Sequence, residues 1–316
     1  MAIPSSGPLS LDDIQTEFGG TNPIDLSEYY AGGANVPPGT TGDSGPIPTS
    51  GEIAVGEFYG SSNRVPIVIS NTGTTLRANI YTLASADPTY SAGITDVVYN
   101  NSGTLYSNVT WGASLATGTF ASGDTVKIVN TGLIIGMGGN GGAGNPSPAA
   151  YSSSMDGGAG GRALALQWPA TIDNTGGTIA GGGGGGGGGR SVGWTVQPGP
   201  KNPPSPRTSG GSGGGGGAGT NVGTGGAAGT GGTYSGNAGS NGTPTAGGAG
   251  GAANINIPAP LKPAAEGGDG GGRGQAGQTA APSSPFGTGG AAGQAIVSNG
   301  NTITWIDMGT INGPTT

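Results

Sequence analysis

Hydrophobic and polar positions alternate most clearly between residues 61 and 131. Short stretches rich in Val, Ile, Thr and Tyr, such as RVPIVIS, ITDVVYN and DTVKIVN, are separated by Asn-Thr-Gly, Asn-Ser-Gly and Ser-Gly-Asp. This spacing is typical of half-buried strands joined by tight turns. We therefore predict a small antiparallel β domain over 61–131, with Trp111 and Phe120 in its core.

The first sixty residues repeat a different pattern. LSLDDI, IDLSEY and IAVGEF each have an apolar, small or acidic, apolar, any, acidic, apolar order. In the first copy Ser10 can cap a helix, with Asp13 completing a capping box and Gly19 ending the helix. Each copy is too short to fold alone.

A Pro/Gly/Ser/Thr-rich linker separates the second and third copies. The repeats and this linker predict an extended N-terminal arm of short helical turns. The alternative is that the repeats pack on the body of their own chain. If the arm wraps over a larger partner, its apolar anchors are Leu11, Ile14, Phe18, Ile24, Leu26, Tyr29, Ile53, Val55 and Phe58.

Glycine dominates the rest of the chain. The protein has 76 Gly in 316 residues, and the last 186 residues hold 59 of them in blocks such as 136–144, 181–189 and 287–293. No collagen-like Gly-X-Y register is kept. Helices with three residues per turn and no side chains can pack closely and hydrogen-bond laterally. We predict that 181–189 is an interior, laterally bonded helix.

Strand-like segments border this region. Residues 126–135 and 172–179 share an apolar, Asn-Thr-Gly, apolar plan, and the C-terminal AIVSNGNTITW adds a further strand pair. We expect these strands to seat the glycine helices on the β domain.

Composition excludes several functions. The chain has neither Cys nor His, which removes disulfides, thiolate and imidazole catalysis and most zinc or haem sites. The N-terminus lacks the pattern of a signal peptide, and the apolar runs are too short to span a membrane. Eight acidic residues and no Lys or Arg lie in 1–60, which indicates a separate module, and nothing is basic enough to bind nucleic acid.

The candidates for chemistry are weak. A phosphate loop needs Gly-Lys-Ser/Thr, whereas Lys201 and Lys262 stand beside Asn and Pro. Four acidic residues of the glycine region are isolated and make neither a hydrolase pair nor a calcium loop: Asp156, Asp173, Glu266 and Asp269. We expect no enzyme activity, no metal and no cofactor.

Recognition by loops fits better. The segments between glycine blocks carry aromatic and cationic side chains, which stack on sugars or anchor protein contacts. For each residue alone, packing on its own bundle is the alternative. The candidate binding residues are Tyr151, Arg190, Trp194, Lys201, Arg207, Tyr234, Lys262 and Phe286.

The quoted motifs resemble a known family. VKIVNTGLIIGMGGNGGAG, ATIDNTGGTIAGGGGGGGGG and GGAAGQAIVSNGNTITW look like the glycine-rich receptor-recognition adhesins of bacteriophage tail fibres. The resemblance covers roughly 120–316 and implies a sandwich of polyglycine type II helices whose loops contact the bacterial surface. SGPLSLDDIQTEFGG and EIAVGEFYG resemble N-terminal segments of phage tail and baseplate proteins.

Together these observations predict a mostly β and irregular protein with three parts: an attachment arm (1–60), a β domain (61–131) and a glycine sandwich (132–316). The resemblance implies a virion tail fibre adhesin that binds other tail or baseplate proteins through its N-terminus. Its receptor would be a bacterial surface glycan or outer-membrane protein. The alternative is a purely structural tail component, and monomer and homotrimer both stay open.

Overall fold

A computed structural model describes residues 3–146, 151–199, 203–253, 264–281 and 286–316. The chain divides into two compact units. Unit 1 comprises Met1–Ile69, Tyr81–Tyr99 and Thr119–Lys127, and unit 2 comprises Ser70–Ile80, Asn100–Gly118 and Ile128–Thr316.

Strands greatly outnumber helices, as the mostly β prediction requires. The helices are α1 (Leu11–Phe18), α2 (Ile80–Ala84) and the 3₁₀ turns Leu26–Tyr29, Val55–Phe58 and Ser153–Met155. The strands are β1 (Thr41–Gly42), β2 (Gly45–Pro46), β3 (Val65–Asn71), β4 (Thr74–Leu76), β5 (Ala78–Asn79), β6 (Thr95–Asn101), β7 (Thr104–Tyr106), β8 (Leu115–Ala116), β9 (Thr125–Asn130), β10 (Leu133–Ile135), β11 (Leu164–Ala165), β12 (Ala170–Asp173), β13 (Thr178–Ala180), β14 (Val192–Val196), β15 (Ser205–Ser209), β16 (Ile296–Val297), β17 (Ile303–Asp307) and β18 (Thr310–Asn312).

In unit 1, α1 begins as predicted. The Ser10 hydroxyl accepts a hydrogen bond from the Asp13 amide, and the Asp13 carboxylate accepts one from the Ser10 amide, which satisfies two otherwise unpaired N–H groups. The Ser10 hydroxyl also donates to the Asp13 carboxylate at 2.6 Å, and the hydrogen bonds from this hydroxyl and from the Ser10 amide hold the pKa of Asp13 below its ordinary value. The helix ends at Gly19, whose φ of 81° suits glycine. The predicted capping box and stop are confirmed.

The three repeats share one core, so the prediction of an extended arm is wrong. The second and third repeats form 3₁₀ turns, each with one buried aromatic ring, and the helix that begins in the first repeat contributes a third ring, Phe18, at its end. Phe18 and Tyr29 both meet Phe58 edge to face, with ring centroids 5.9 and 6.3 Å apart. Although each repeat is too short to fold alone, three together bury enough apolar surface. We call this the N-terminal cluster, and its buried residues are Ile3, Ile14, Phe18, Tyr29, Ala31, Val36, Ile47 and Phe58.

Strands β3, β6 and β9 are successive neighbours in one sheet. In β6 burial alternates strictly, with Val97 and Tyr99 among the buried positions. Arg64 makes a two-pronged ion pair with Asp96, at 3.0 Å from Nε and 2.5 Å from Nη2. The Asp124 carboxylate accepts hydrogen bonds from the amides of Gly93 and Thr95. These contacts tie unit 1 together through polar groups as well as its apolar core.

Outside the β14–β15 hairpin, the strands of unit 2 pair in parallel, so the prediction of an antiparallel β domain is wrong. One sheet has the order β18-β13-β10-β7-β4 and another the order β16-β11-β8-β5, with parallel pairing throughout. Strands β12 and β17 are likewise parallel. The chain therefore coils, each strand pairing with its equivalent in the next coil, as in a solenoid.

The Asn-x-Gly motifs mark where each coil turns. Four stacked asparagines, three of them fully buried, form a ladder in which Asn71 donates to Asn101, Asn101 to Asn130 and Asn130 to Asn174, at 2.7, 2.7 and 2.6 Å. Such a ladder satisfies polar side chains that would be costly to bury alone. A Cβ on Gly103 or Gly132 would collide with the backbone of the preceding coil, so the stack requires glycine at these two positions, whereas a Cβ on Gly73 at the end of the stack would have open space.

The glycine-rich segments are insertions between strands of these coils. One leaves after β10 and returns at β11; a much longer one leaves after β13 and returns at β16. Neighbouring segments are joined by backbone hydrogen bonds at every third residue, for example from Gly139, Gly142 and Asn145 to the carbonyls of Gly183, Gly186 and Gly189. The segments bonded in this way are 136–145, 155–163, 181–189, 210–219, 223–231, 234–243, 246–253, 264–274, 275–281 and 286–294.

Residues 181–189 lie at the centre of one such group. All nine glycines are buried, and every amide and carbonyl among them is hydrogen-bonded. Their amides donate mainly to 155–161, 212–218 and 275–278, and their carbonyls accept from 139–145, 268–274 and 287–293. Segment 210–219 is buried in the same way. The prediction that 181–189 is interior and laterally bonded is confirmed.

Candidate functional site

The loops at one end of the glycine segments hold most of the predicted binding residues. Asn145, Gly189 and Gly211 are directly bonded to one another, since the Asn145 amide donates to Gly189 and the Gly211 amide to Asn145. Next to each of these three residues, the chain leaves its glycine segment and forms a loop. The described parts of the resulting loops are 146 with 151–154, 190–199 with 203–209, and 230–235.

The longest described loop contains an antiparallel hairpin of β14 and β15. Trp194 and Arg207 are register partners across the hairpin. The indole of Trp194 stacks on the ring of Tyr234, with centroids 6.2 Å apart and planes 9° from parallel. The bridge between Ser209 and Tyr234 fixes the second loop to the hairpin. Two loops thus present one aromatic pair beside an exposed guanidinium.

The polar edge of that pair is unusual. The Trp194 indole N–H is buried and has no hydrogen-bond acceptor among the described residues, although an unmet buried donor is costly. The rings of Trp194 and Tyr234 are each only half-buried. Stacked rings of this kind combine apolar area with polar edges, which suits binding to sugars or proteins. We call Trp194, Arg207 and Tyr234 the aromatic tip.

A second loop is tied down by a carboxylate. The Asp156 carboxylate accepts hydrogen bonds from the amide and hydroxyl of Thr288, both at 2.7 Å, and from the Tyr151 hydroxyl. Partial burial raises the pKa of Asp156, but the hydrogen bonds from Tyr151 and Thr288 outweigh burial and hold it below the ordinary value. The Asp156 carboxylate therefore links Tyr151 to Thr288.

The structure brings together only part of the predicted set. Trp194, Arg207 and Tyr234 form the aromatic tip, whereas Tyr151 contacts Asp156. Arg190 and Phe286 are half-buried. Lys201 and Lys262 lie outside the described residues.

The predicted attachment residues divide by burial. Four of them are core residues of the N-terminal cluster and have no surface to offer a partner: Ile14, Phe18, Tyr29 and Phe58. The other five are half-buried and pack around that core: Leu11, Ile24, Leu26, Ile53 and Val55. Any apolar attachment surface here consists of the second group.

One aromatic residue was assigned to the wrong environment. Phe120 is buried as expected, but 71% of Trp111 is exposed, so its prediction as a core residue is wrong. Trp111 lies in the connection between β7 and β8, where the chain leaves the solenoid instead of alternating across it. The guanidinium of Arg77 lies over its ring at 5.0 Å from the centroid.

Comparisons with known proteins decide the family. Residues 64–316 match the family model described as phage tail fibre adhesin Gp38. The chain belongs to this adhesin family. A comparison with curated proteins gave no match.

A solved structure supports the fold of this Gp38-family chain. The crystal structure of the gp37-gp38 adhesin tip complex of the bacteriophage S16 long tail fiber contains a chain that is 24% identical, with a TM-score of 0.51. The match covers 99% of the present chain and 100% of that chain. It therefore includes nearly all of the N-terminal residues 1–63, which the family model leaves out.

Membership of the family implies a viral protein of the phage tail fibre. Adhesins act by binding, which fits the expectation of a non-enzymatic protein better than it fits an enzyme. Within the described residues, no helix is long and apolar enough to cross a membrane.

Proposed function

We propose that this Gp38-family adhesin recognises the host surface through the loops at the outer end of its glycine segments and attaches to the tail fibre through its N-terminal cluster. The observation that carries the proposal is the aromatic tip. There Trp194 and Tyr234 are stacked beside Arg207, on two loops held by a densely hydrogen-bonded scaffold.

We further infer that the scaffold is a sandwich of polyglycine type II helices. A helix of this type has three residues per turn and no internal hydrogen bonds. The lateral hydrogen bonds recur at every third residue, and residues 181–189 bond only to other segments. Both features support the assignment.

This scaffold separates stability from recognition. Nearly all its hydrogen bonds join backbone groups, so the loop side chains contribute little to holding the segments together. Loops on such a support can change sequence without loss of the fold. A receptor-binding protein under pressure to change its target benefits from this arrangement.

For attachment, the five half-buried apolar residues around the N-terminal cluster are the proposed contact surface. A related fibre tip contains gp37 together with gp38, so the proposed partner is a gp37-like fibre protein. Residues 1–60 have eight acidic and no basic residues, which favours a partner surface of positive potential. The division into 1–60, 61–131 and 132–316 is retained as a functional proposal.

The recognition test uses phage particles carrying adhesin variants. Trp194→Ala and Tyr234→Ala, and exchange of the hairpin loop 190–209 for that of a relative, should slow adsorption to host cells, and the exchange should alter host range. Met308→Ala is the matched control, because Met308 is an exposed apolar residue of unit 2 outside the loops. Mass spectrometry of purified particles should find all variants incorporated equally.

Unchanged adsorption and host range, with normal incorporation, would favour the purely structural alternative.

The attachment proposal is tested separately by Leu26→Asp with Ile53→Asp, which should remove the adhesin from particles while the isolated protein stays folded. Light scattering of the purified protein distinguishes a monomer from a homotrimer. To decide between a glycan and an outer-membrane protein as the receptor, adsorption is measured to host mutants that lack one or the other. The mutant that no longer adsorbs the phage identifies the receptor class.

A further inference from the structure

A second candidate binding site lies on the coils of unit 2. Arg77 alone connects β4 to β5, Trp111 lies in the connection from β7 to β8, and Arg162 precedes β11. All three residues lie in the connections that lead into β5, β8 and β11, which are neighbours in one sheet. Because the coils stack in register, the three side chains line one cleft of about 280 Å³.

The floor of the cleft is small and flat. Asn79, Ala116 and Ala165 are register partners on the outward face of the sheet β5-β8-β11. The alternate positions, including Leu115 and Leu164, are fully buried. The methyl groups of Ala116 and Ala165 leave room above the sheet, and the Asn79 carboxamide lies at the β5 edge of this floor.

Two backbone features position the Arg77 guanidinium at the cleft. Arg77 has a φ of 48°, which is uncommon for a residue other than glycine and often accompanies function. A Cβ on Gly112 would lie 3.1 Å from the Arg77 guanidinium carbon, so glycine at this position leaves the group its space. The guanidinium is thereby held over the exposed Trp111 ring.

The other groups at the cleft are also hydrogen-bond donors. The Gln167 side-chain oxygen accepts from the Gly118 amide at 3.0 Å, which leaves its NH₂ group as the remaining donor. Within the described residues, neither Arg77 nor Arg162 has a carboxylate at ion-pairing distance. The cleft therefore offers two unpaired guanidiniums, an amide donor and an exposed indole, with no acidic residue among its lining.

We propose that this cleft binds an anionic sugar, one that carries a carboxylate or a phosphate group. The guanidiniums of Arg77 and Arg162 take the anionic group, for which planar paired donors are well suited. The sugar ring lies against the Trp111 indole and Gln167 donates to a ring substituent. The volume is at the lower limit of small-molecule pockets and suits a single sugar residue.

The site is distinct from the aromatic tip, so it concerns a second contact with the host surface. Other anions fit less well. A nucleic acid would require an extended basic surface, whereas this cleft has two guanidiniums in a chain of net charge −7. Uronic acids and phosphorylated sugars share the proposed chemistry, and the ligand series below separates them.

The test is a titration of the full-length protein, followed by NMR of the tryptophan indole N–H signals. The ligands are glucose, glucose 6-phosphate, glucuronate and inorganic phosphate. The Trp111 signal, assigned with Trp111→Phe, should shift with glucose 6-phosphate, glucuronate or both, and not with glucose. Affinities of the variants are measured by isothermal titration calorimetry, because Trp111→Ala removes the NMR reporter. Arg162→Ala and Trp111→Ala should each weaken binding about tenfold or more.

Arg273→Ala is the matched control, since Arg273 donates to the Pro244 carbonyl and is not part of the cleft. Its affinity should equal that of the unaltered protein. The proposal is overturned if none of the ligands shifts the Trp111 signal. It is also overturned if inorganic phosphate binds as tightly as both anionic sugars and Trp111→Ala changes nothing.

Discussion

The N-terminal cluster and the glycine segments hold their chain together in opposite ways. The cluster buries side chains: three aromatic rings meet at Phe58, surrounded by aliphatic residues from all three repeats. The glycine segments bury almost no side chains. Residues 181–189 are instead fixed by hydrogen bonds from every amide and to every carbonyl. One region is an apolar core, and the other is a backbone lattice.

The difference determines what each region tolerates. Apolar packing depends on volume and is not directional, so a cluster accepts replacements of similar size. A backbone lattice needs close approach in several directions at once, and a side chain blocks it at most positions, although Ser212 and Ala218 are accommodated. We therefore expect single substitutions to lower the free energy of unfolding most in the lattice and less in the cluster. Smaller effects are expected for the asparagine ladder of the coils and for the ionisation of a buried tyrosine.

The largest effect is expected for Gly185→Val. A Cβ there would lie less than 3.0 Å from the carbonyl of Asn140, and a valine would also part Gly185 from its bonded neighbours Gly158 and Gly290. Loss of several buried hydrogen bonds and of packing should cost more than about 4 kcal/mol. The free energy of unfolding, measured in urea, checks this.

The matched control is Ala159→Val, which adds the same kind of bulk at an exposed position of an outer glycine segment. It should change stability by less than about 0.5 kcal/mol. If Gly185→Val keeps the stability of the unaltered protein, the lattice description of this region is wrong.

The next effect is expected for Phe58→Ala. This residue contacts both other aromatic rings of the N-terminal cluster and is fully buried. Removing the ring should destabilise the cluster by about 3–4 kcal/mol. Hydrogen exchange followed by mass spectrometry should show faster exchange in peptides from residues 10–60. Gly56→Ala serves as the control, since a Cβ at Gly56 has open space.

A smaller effect is expected for the asparagine ladder of the coils. Asn130→Ala removes the acceptor of Asn101 and the donor to Asn174, all three being fully buried. Leaving these groups unpaired should cost about 2–3 kcal/mol. Asn71→Ala at the half-buried end of the ladder should cost clearly less, and equal losses at the two positions would contradict a continuous ladder.

The sequence predicted the glycine lattice and the capped first helix because both depend on local composition. Nine consecutive glycines among repeated blocks have few ordered arrangements other than lateral bonding. Likewise, Ser10 and Asp13 are neighbours in the chain, so their capping box needs no tertiary information. The sequence did not indicate which residues far apart in the chain would be in contact, such as Phe18 and Phe58.

The misassigned strands show where local rules fail. Asn-x-Gly is a strong hairpin signal, but here it turns the chain from one parallel sheet to the next. The available clue was the period: Asn71, Asn101 and Asn130 are 30 and 29 residues apart, a spacing typical of stacked repeats. Glycine insertions after β10 and β13 interrupt that period. Trp111 was misplaced for the same reason, because alternation within a strand does not continue into a connection.

The smallest predicted effect is a pH dependence confined to unit 1. Tyr99 is buried in β6, and burial raises its pKa to about 12. Below pH 10 the hydroxyl is neutral in both folded and unfolded chains, so stability is unaffected. Between pH 10 and 12 only the unfolded chain ionises, and stability is lost as pH rises. The loss should reach about 1 kcal/mol near pH 11, allowing for solvent screening. Hydrogen exchange of peptides covering 95–99 should accelerate over this range. Tyr99→Phe should reduce the response but not abolish it, because burial also raises the pKa of Tyr90 in the same unit to about 12. An equal alkaline response in peptides covering 181–189 would contradict the comparison, since a lattice of backbone hydrogen bonds has no group that titrates there.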